Sequence, residues 1–142
     1  MSAQISIVDF MRSNPFFMYI DPAEKARILP YAEIATYKAD QVIFKQGDKA
    51  NNTYFIAQGN IQLTNGRHKL IKETGEAFGT EAAFSNNYYE YSSHAQGEAT
   101  LVKLPSEMIV KLLKTQPEVG INLFFHTKNP EPPTPCLLYT SD

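Results

Sequence analysis

Between Ile34 and Leu104, short runs of β-branched and aromatic residues are cut every few positions by turn residues. This punctuation constrains the fold more than any other feature of the chain. The runs suited to strands are Ile34–Tyr37, Gln41–Lys45, Thr53–Ala57, Asn60–Thr64, Lys69–Glu73, Ser92–Gln96 and Thr100–Leu104. Between them stand Gln46-Gly47-Asp48, Gln58-Gly59-Asn60 and Asn65-Gly66. Asn65-Gly66 is the strongest hairpin signal, because tight two-residue loops need the positive φ that these residues tolerate. Gly47 and Gly59 fall where strands reverse and read as structural. Val42/Phe44 and Ile61/Leu63 lie two apart, so each strand can bury one face. Strands this short and this closely spaced predict a mainly β sandwich, roll or barrel.

Helical spacing returns on both sides of this stretch. Ile7, Val8, Phe10 and Met11 predict a short opening helix that Asn14-Pro15 ends, with Phe16, Phe17 and Met18 as an apolar plug behind it. Asp21-Pro22-Ala23-Glu24 predicts a second start, with Asp21 as cap and Glu24 reaching back to it. Ala26, Ile28 and Leu29 are its expected buried face, and Pro30 its end. After Leu104, Pro105-Ser106-Glu107 offers a cap for a helix whose apolar stripe is Ile109, Leu112 and Leu113. Pro117 opens a further helix with Val119, Ile121, Leu123, Phe124 and Phe125 on its apolar side. From Asn129 onward prolines crowd at Pro130, Pro132, Pro133 and Pro135, which opposes a packed element and predicts a disordered, non-native tail. The expected organisation is one domain over residues 1–128 (helices in 5–33, β-roll in 34–104, helices in 105–128), followed by the tail 129–142.

The 142 residues, 43% hydrophobic and 20% charged, suit one globular core. A net charge of -2 gives no general attraction to nucleic acid, and no helix-turn-helix pattern follows the β region, so no nucleic-acid partner is expected. No apolar run has the length of a membrane span. The single cysteine, Cys136, forms no internal disulfide, and the start lacks a secretion signal; both point to the cytoplasm.

Three pieces in order carry a resemblance. Ala39-Asp40-Gln41-Val42-Ile43-Phe44-Lys45-Gln46-Gly47-Asp48 is a strand ending in a Gly-Asp turn. Tyr54-Phe55-Ile56-Ala57-Gln58-Gly59-Asn60-Ile61 is an aromatic-rich strand ending in a Gly turn. Gly75-Glu76-Ala77-Phe78-Gly79-Thr80-Glu81-Ala82-Ala83-Phe84 is a Gly-Glu-x-Phe-Gly cassette. Together they resemble the cyclic nucleotide-binding domain family, which includes catabolite-activator regulators and the regulatory subunits of cyclic-AMP-dependent kinase. The resemblance spans residues 5–127. It implies a double-stranded β-helix, a jelly-roll-like β-roll with helices at both ends, and a non-enzymatic sensor module that is a fragment of a larger regulator.

In that family a short helix begins after the cassette glycine and holds the cyclic phosphate by its backbone N–H groups, an adjacent glutamate holds the ribose hydroxyl, and an arginine some ten residues on neutralises the phosphate. By resemblance the ligand cassette is Phe78, Gly79, Thr80, Glu81 and Ala82, with Glu90, Tyr91 and Ser92 beyond it. Two departures stand out. Thr80 takes the glutamate position, and Glu81 lies one residue later, about 100° around a helix. Between Gly79 and Leu104 the only Lys or Arg is Lys103, and the arginine position falls at Tyr89 or Glu90. Glu90 facing the phosphate would cost about 4 kcal/mol at ~4 Å in an effective dielectric of ~20. Weak or no binding of cyclic AMP or cyclic GMP is therefore expected. Either Tyr88, Tyr89 and Tyr91 fill the pocket, or a less anionic small molecule stacks on them; Arg67 or Lys69 would be the substitute cation if binding occurs. No cofactor is expected.

Two alternatives carry other functions. One is a ligand-free interaction or oligomerisation domain that meets a protein partner or a second copy through its C-terminal helix. The other is a cupin-like metalloenzyme, but His68, His94 and His126 lack ligand spacing. Ser92-Ser93-His94 has no nucleophile elbow, so no catalytic residue is assigned.

Overall fold

The structure, a computed structural model, describes residues 6–84 and 87–119. Eight strands form its body: β1 (Glu33–Tyr37), β2 (Val42–Phe44), β3 (Asn52–Gln58), β4 (Ile61–Asn65), β5 (His68–Lys72), β6 (Ala77–Phe78), β7 (Ser92–Ala95) and β8 (Ala99–Pro105). They make two four-stranded sheets, ordered β1-β8-β3-β6 and β2-β7-β4-β5, and every pairing is antiparallel. Helices α1 (Ile7–Ser13), α2 (Pro15–Met18), α3 (Pro22–Ile28) and α4 (Ser106–Thr115) flank them in sequence. This is the mainly β roll with flanking helices that the punctuation predicts.

Two apolar layers share β3 and β8. On one side Phe10, Phe16, Phe17 and Ile28 from the helices pack with Phe55 of β3 and Val102 and Leu104 of β8. On the other, Tyr54 and Ile56 of β3 and Leu101 of β8 face Phe44, Ile61, Leu63 and Ala95 of the second sheet. The period of two sends alternate residues of one strand into different layers. Such a strand reads as a continuous apolar run, as Tyr54-Phe55-Ile56-Ala57 does.

Gly59 closes the turn between β3 and β4 at φ +104°, where a Cβ would lie 2.8 Å from the Glu98 carbonyl oxygen and 2.9 Å from Ala99. No side chain fits there. The β4–β5 hairpin forms as expected, with Asn65 paired to His68. Its loop is therefore Gly66-Arg67, and Gly66 takes φ +62° at the first central position.

Several local expectations are corrected. Asp21 makes no side-chain cap to α3, and Glu24 pairs instead with Arg27 at 3.4 Å; Pro22 alone sets the entry. Ala26 is exposed and only Ile28 is buried on α3, because a helix of two turns lays a narrow stripe on the sheet. Val42 is 47% exposed, since the register shifts between Val42 and Phe44 and breaks their common facing. Ser106 does not cap α4; its hydroxyl lies 3.1 Å from that of Thr53, inside the protein. The apolar plug is a one-turn helix, α2, whose start Asn14 caps by accepting from the Phe16 N–H at 2.9 Å. β6 escapes sequence patterning because two residues carry no period. Pro117 begins a single 3-10 turn, Pro117–Val119. The helix expected through Phe125, His126 and the tail 129–142 with Cys136 lie outside the described residues.

Candidate functional site

The cassette leaves β6 at Phe78, turns at Gly79 and runs through Thr80 into a 3-10 turn, Glu81–Phe84. Gly79 has φ +92°, and a Cβ on it would meet the Asn52 carbonyl oxygen at 3.2 Å and the Tyr89 ring at 3.4 Å. The glycine thus brings the backbone against β3 and against Tyr89. Thr80 is 2% exposed, and its Oγ1 has no hydrogen-bond partner among the described residues. Glu81 is exposed. Its turn toward the cassette mouth differs from the simple helical rotation, because the segment is a tighter 3-10 turn after a positive-φ glycine.

Tyr91 fills the mouth. Its hydroxyl accepts the Gly79 N–H at 3.0 Å and donates to Glu81 Oε2 at 2.6 Å. Tyr89 fills the interior. Its ring lies on Phe44, centroids 3.6 Å apart and planes 6° from parallel. Its hydroxyl donates to the Asn52 carbonyl at 2.6 Å and accepts the Asn52 N–H at 3.3 Å. Tyr54 stacks on Phe78 at 5.3 Å and 15°, which completes an aromatic wall. Burial raises all three phenols above the ordinary tyrosine value. For Tyr89 the value reaches about 12, and for Tyr91 the Glu81 carboxylate adds to the burial. They therefore stay protonated, as donors, throughout the neutral range.

The segment bearing these tyrosines is laced to the Gly-Asp turn. The Tyr89 N–H donates to the Asp48 carbonyl at 2.9 Å, and the Gly47 N–H to the Tyr89 carbonyl at 2.8 Å. Ser92 Oγ accepts the Gln46 N–H at 2.9 Å, so that hydroxyl is committed to the backbone. Phe78 and Ala82 are buried in the roll. Glu90 is exposed. Tyr88 is 50% exposed. The sequence reading missed Phe44, Tyr54 and Asn52 as partners in the site; Phe44 lay in a quoted motif but carries no ligand chemistry of its own.

Beside Tyr91 a small cleft of about 200 Å³ opens toward the β4–β5 hairpin, lined among others by Leu63, Leu70, Lys69, Lys72 and Glu81. Lys69 thus lies at the cassette mouth, whereas Arg67 does not line the cleft. Among the described residues no group of three or more His, Cys, Asp or Glu could hold a metal ion, and no helix is long and apolar enough to cross a membrane.

Comparison with known proteins agrees with this architecture. The cyclic nucleotide-binding domain family matches residues 34–116. The chain belongs to that family. The cyclic AMP receptor protein of Thermus thermophilus is 27% identical over 119 residues, 80% of this chain and 55% of that protein. A putative cyclic nucleotide-binding protein from Geobacter metallireducens superposes with a TM-score of 0.71 at 19% identity, over 84% of this chain and 90% of that one. The regulatory subunit of a cAMP-independent protein kinase A from Trypanosoma brucei superposes at 0.67 with 16% identity, over 78% of this chain and 46% of that one. A mutant of that subunit carrying three substitutions, one of them threonine to arginine, is bound to cAMP in its A site. The chain spans 55% and 61% of the curated relatives it matches.

Proposed function

We propose that this chain is a non-enzymatic, cytoplasmic regulatory module of the cyclic nucleotide-binding type whose cassette is occupied by its own tyrosines, so that cyclic AMP and cyclic GMP bind weakly or not at all. The observation that carries this reading is the Tyr91 hydroxyl, hydrogen-bonded to both the Gly79 N–H and the Glu81 carboxylate. A ligand entering the cassette would have to break both bonds, displace a ring, and then find no arginine to offset its phosphate charge. The missing arginine alone weakens binding; the seated phenols remove the space. The trypanosome subunit, cAMP-independent yet bound to cAMP in a mutant that gained an arginine, supports the reading that this fold persists without nucleotide. Output then passes through protein contacts rather than through a cyclic nucleotide, whether to a partner, to a second copy, or to the remainder of a longer regulator.

Calorimetric titration with cyclic AMP and cyclic GMP tests this. The expected result is no heat of binding at ligand concentrations up to about 1 mM, the level that separates a useful site from a vestigial one. A dissociation constant in the micromolar range for either nucleotide sinks the proposal.

A further inference from the structure

A separate cleft does not touch the Tyr91 mouth. It measures about 480 Å³ and lies between the turn at Lys49–Asn51, the backbone at Asn87 and the outer side of α4. Its volume falls in the range of small-molecule sites. Lys49 stands on one wall, and Lys111 and Lys114 stand three apart on α4 opposite it, against a single acid, Glu107. Among the described residues none of these lysines makes an ion pair, whereas Arg12, Arg27 and Lys103 all do. In a chain of net charge -2, three unpaired ammonium groups around one cavity are a local excess of positive charge.

The walls are fixed. The Ala50 N–H donates to the Asn87 carbonyl at 2.8 Å, and the Ser106 N–H to the Asn51 carbonyl at 2.9 Å. Lys49 and Tyr88 form an isolated antiparallel bridge. The buried Thr53–Ser106 hydroxyl pair ties β3 to the first residue of α4. The lysines are therefore carried on braced backbone, which limits the ordering that binding must supply.

We propose that this cleft binds a small polyphosphate anion, of the di- or triphosphate class, held by Lys49, Lys111 and Lys114 and independent of the cassette. A compact multivalent anion can reach both walls at once, and flexible lysine stems suit it as point charges. Such a ligand would join the Asn87 segment to α4.

The test is a titration of the full chain with inorganic tripolyphosphate, followed by amide chemical shifts at low ionic strength. Shifts centred on residues 49–51 and 106–114 are expected. Binding should fall by about tenfold in the Lys111→Gln, Lys114→Gln double variant and should weaken as salt is raised. Gly79 should not move in any arm, which separates this outcome from the fate of the cassette. Absence of shifts in that region, or equal affinity in the double variant, overturns the proposal. So does a response to poly-glutamate peptide with none to tripolyphosphate, which would make the cleft a protein-docking surface.

Discussion

The two sides of β3 and β8 are packed by opposite means. Toward the helices the aromatic residues are all phenylalanine: Phe17 lies 4.9 Å from both Phe16 and Phe55, ring centre to ring centre, and Phe10 stands 5.7 Å from Phe17. Inside the roll Phe44 and Phe78 are joined by Tyr54 and Tyr89, with Tyr91 packed against them. A phenyl cluster asks nothing of its surroundings. A buried phenol must find partners, and Tyr89 and Tyr91 find them in backbone groups at Asn52 and Gly79 and in the Glu81 carboxylate. The first layer holds helices to a sheet. The second surrounds the cassette, where Tyr89 and Tyr91 engage the Asn52 and Gly79 backbone and the Glu81 carboxylate. Purely apolar packing and hydrogen-bonded aromatic packing are thus carried on opposite faces of the same strands.

The largest effect expected from this contrast lies on the helix side. Phe17 is fully buried and has only apolar contacts to lose, so Phe17→Ala should destabilise the domain by about 3–5 kcal/mol. Urea unfolding measures it. A cost under about 1 kcal/mol, the level of an exposed site, would break the contrast by showing the helical layer to be an accessory to the roll.

Much of this was legible in the sequence. The turn glycines and β-branched runs placed seven of the strands to within a residue or two, since their alternation is local. Cassette identity was legible because Phe78-Gly79 follows Gly75-Glu76 at a fixed offset. What could not be read was which tyrosine fills the site. Tyr88, Tyr89 and Tyr91 are equivalent in sequence, and only the pairing of Tyr89 with Asp48 and Gly47 across the roll turns Tyr88 outward and Tyr89 in. The failure of the expected Asp21 cap and the cleft lined by Lys49, Lys111 and Lys114 are invisible for a related reason: each depends on a backbone path or a spatial meeting that no local pattern encodes.

The next effect belongs to the roll and is a dependence on pH. In the folded chain Tyr89 ionises at about 12, against 10.0 for a free phenol, and burial is the first cause. The unfolded chain therefore loses its proton first. The contribution of Tyr89 is complete below about pH 10 and is lost as pH rises through 12, with a magnitude on the order of 2 kcal/mol. Tyr54 and Tyr91 shift in the same direction and steepen the fall. Denaturation midpoints taken from pH 9 to 12 should drop across that window, and Tyr89→Phe should flatten the profile. A stability that stays level to pH 12 in the parent chain would show that the phenols are not sealed in the roll.

The smallest effect sharpens the comparison most. Tyr91 is only half-buried, and its ring keeps its contacts when the hydroxyl is removed, so Tyr91→Phe should cost only about 0.5–1.5 kcal/mol. Its signature is local. The Gly79 N–H loses its acceptor, and its hydrogen exchange should rise, while the amides of β3 beside Phe55 keep their protection. If the hydroxyl were an incidental surface contact, Gly79 exchange would be unchanged. If it were part of the general stability of the roll, protection would fall at Gly79 and β3 together. Only a rise confined to the cassette fits a phenol seated in place of a ligand, because that bond closes a site and does not hold the two sheets together.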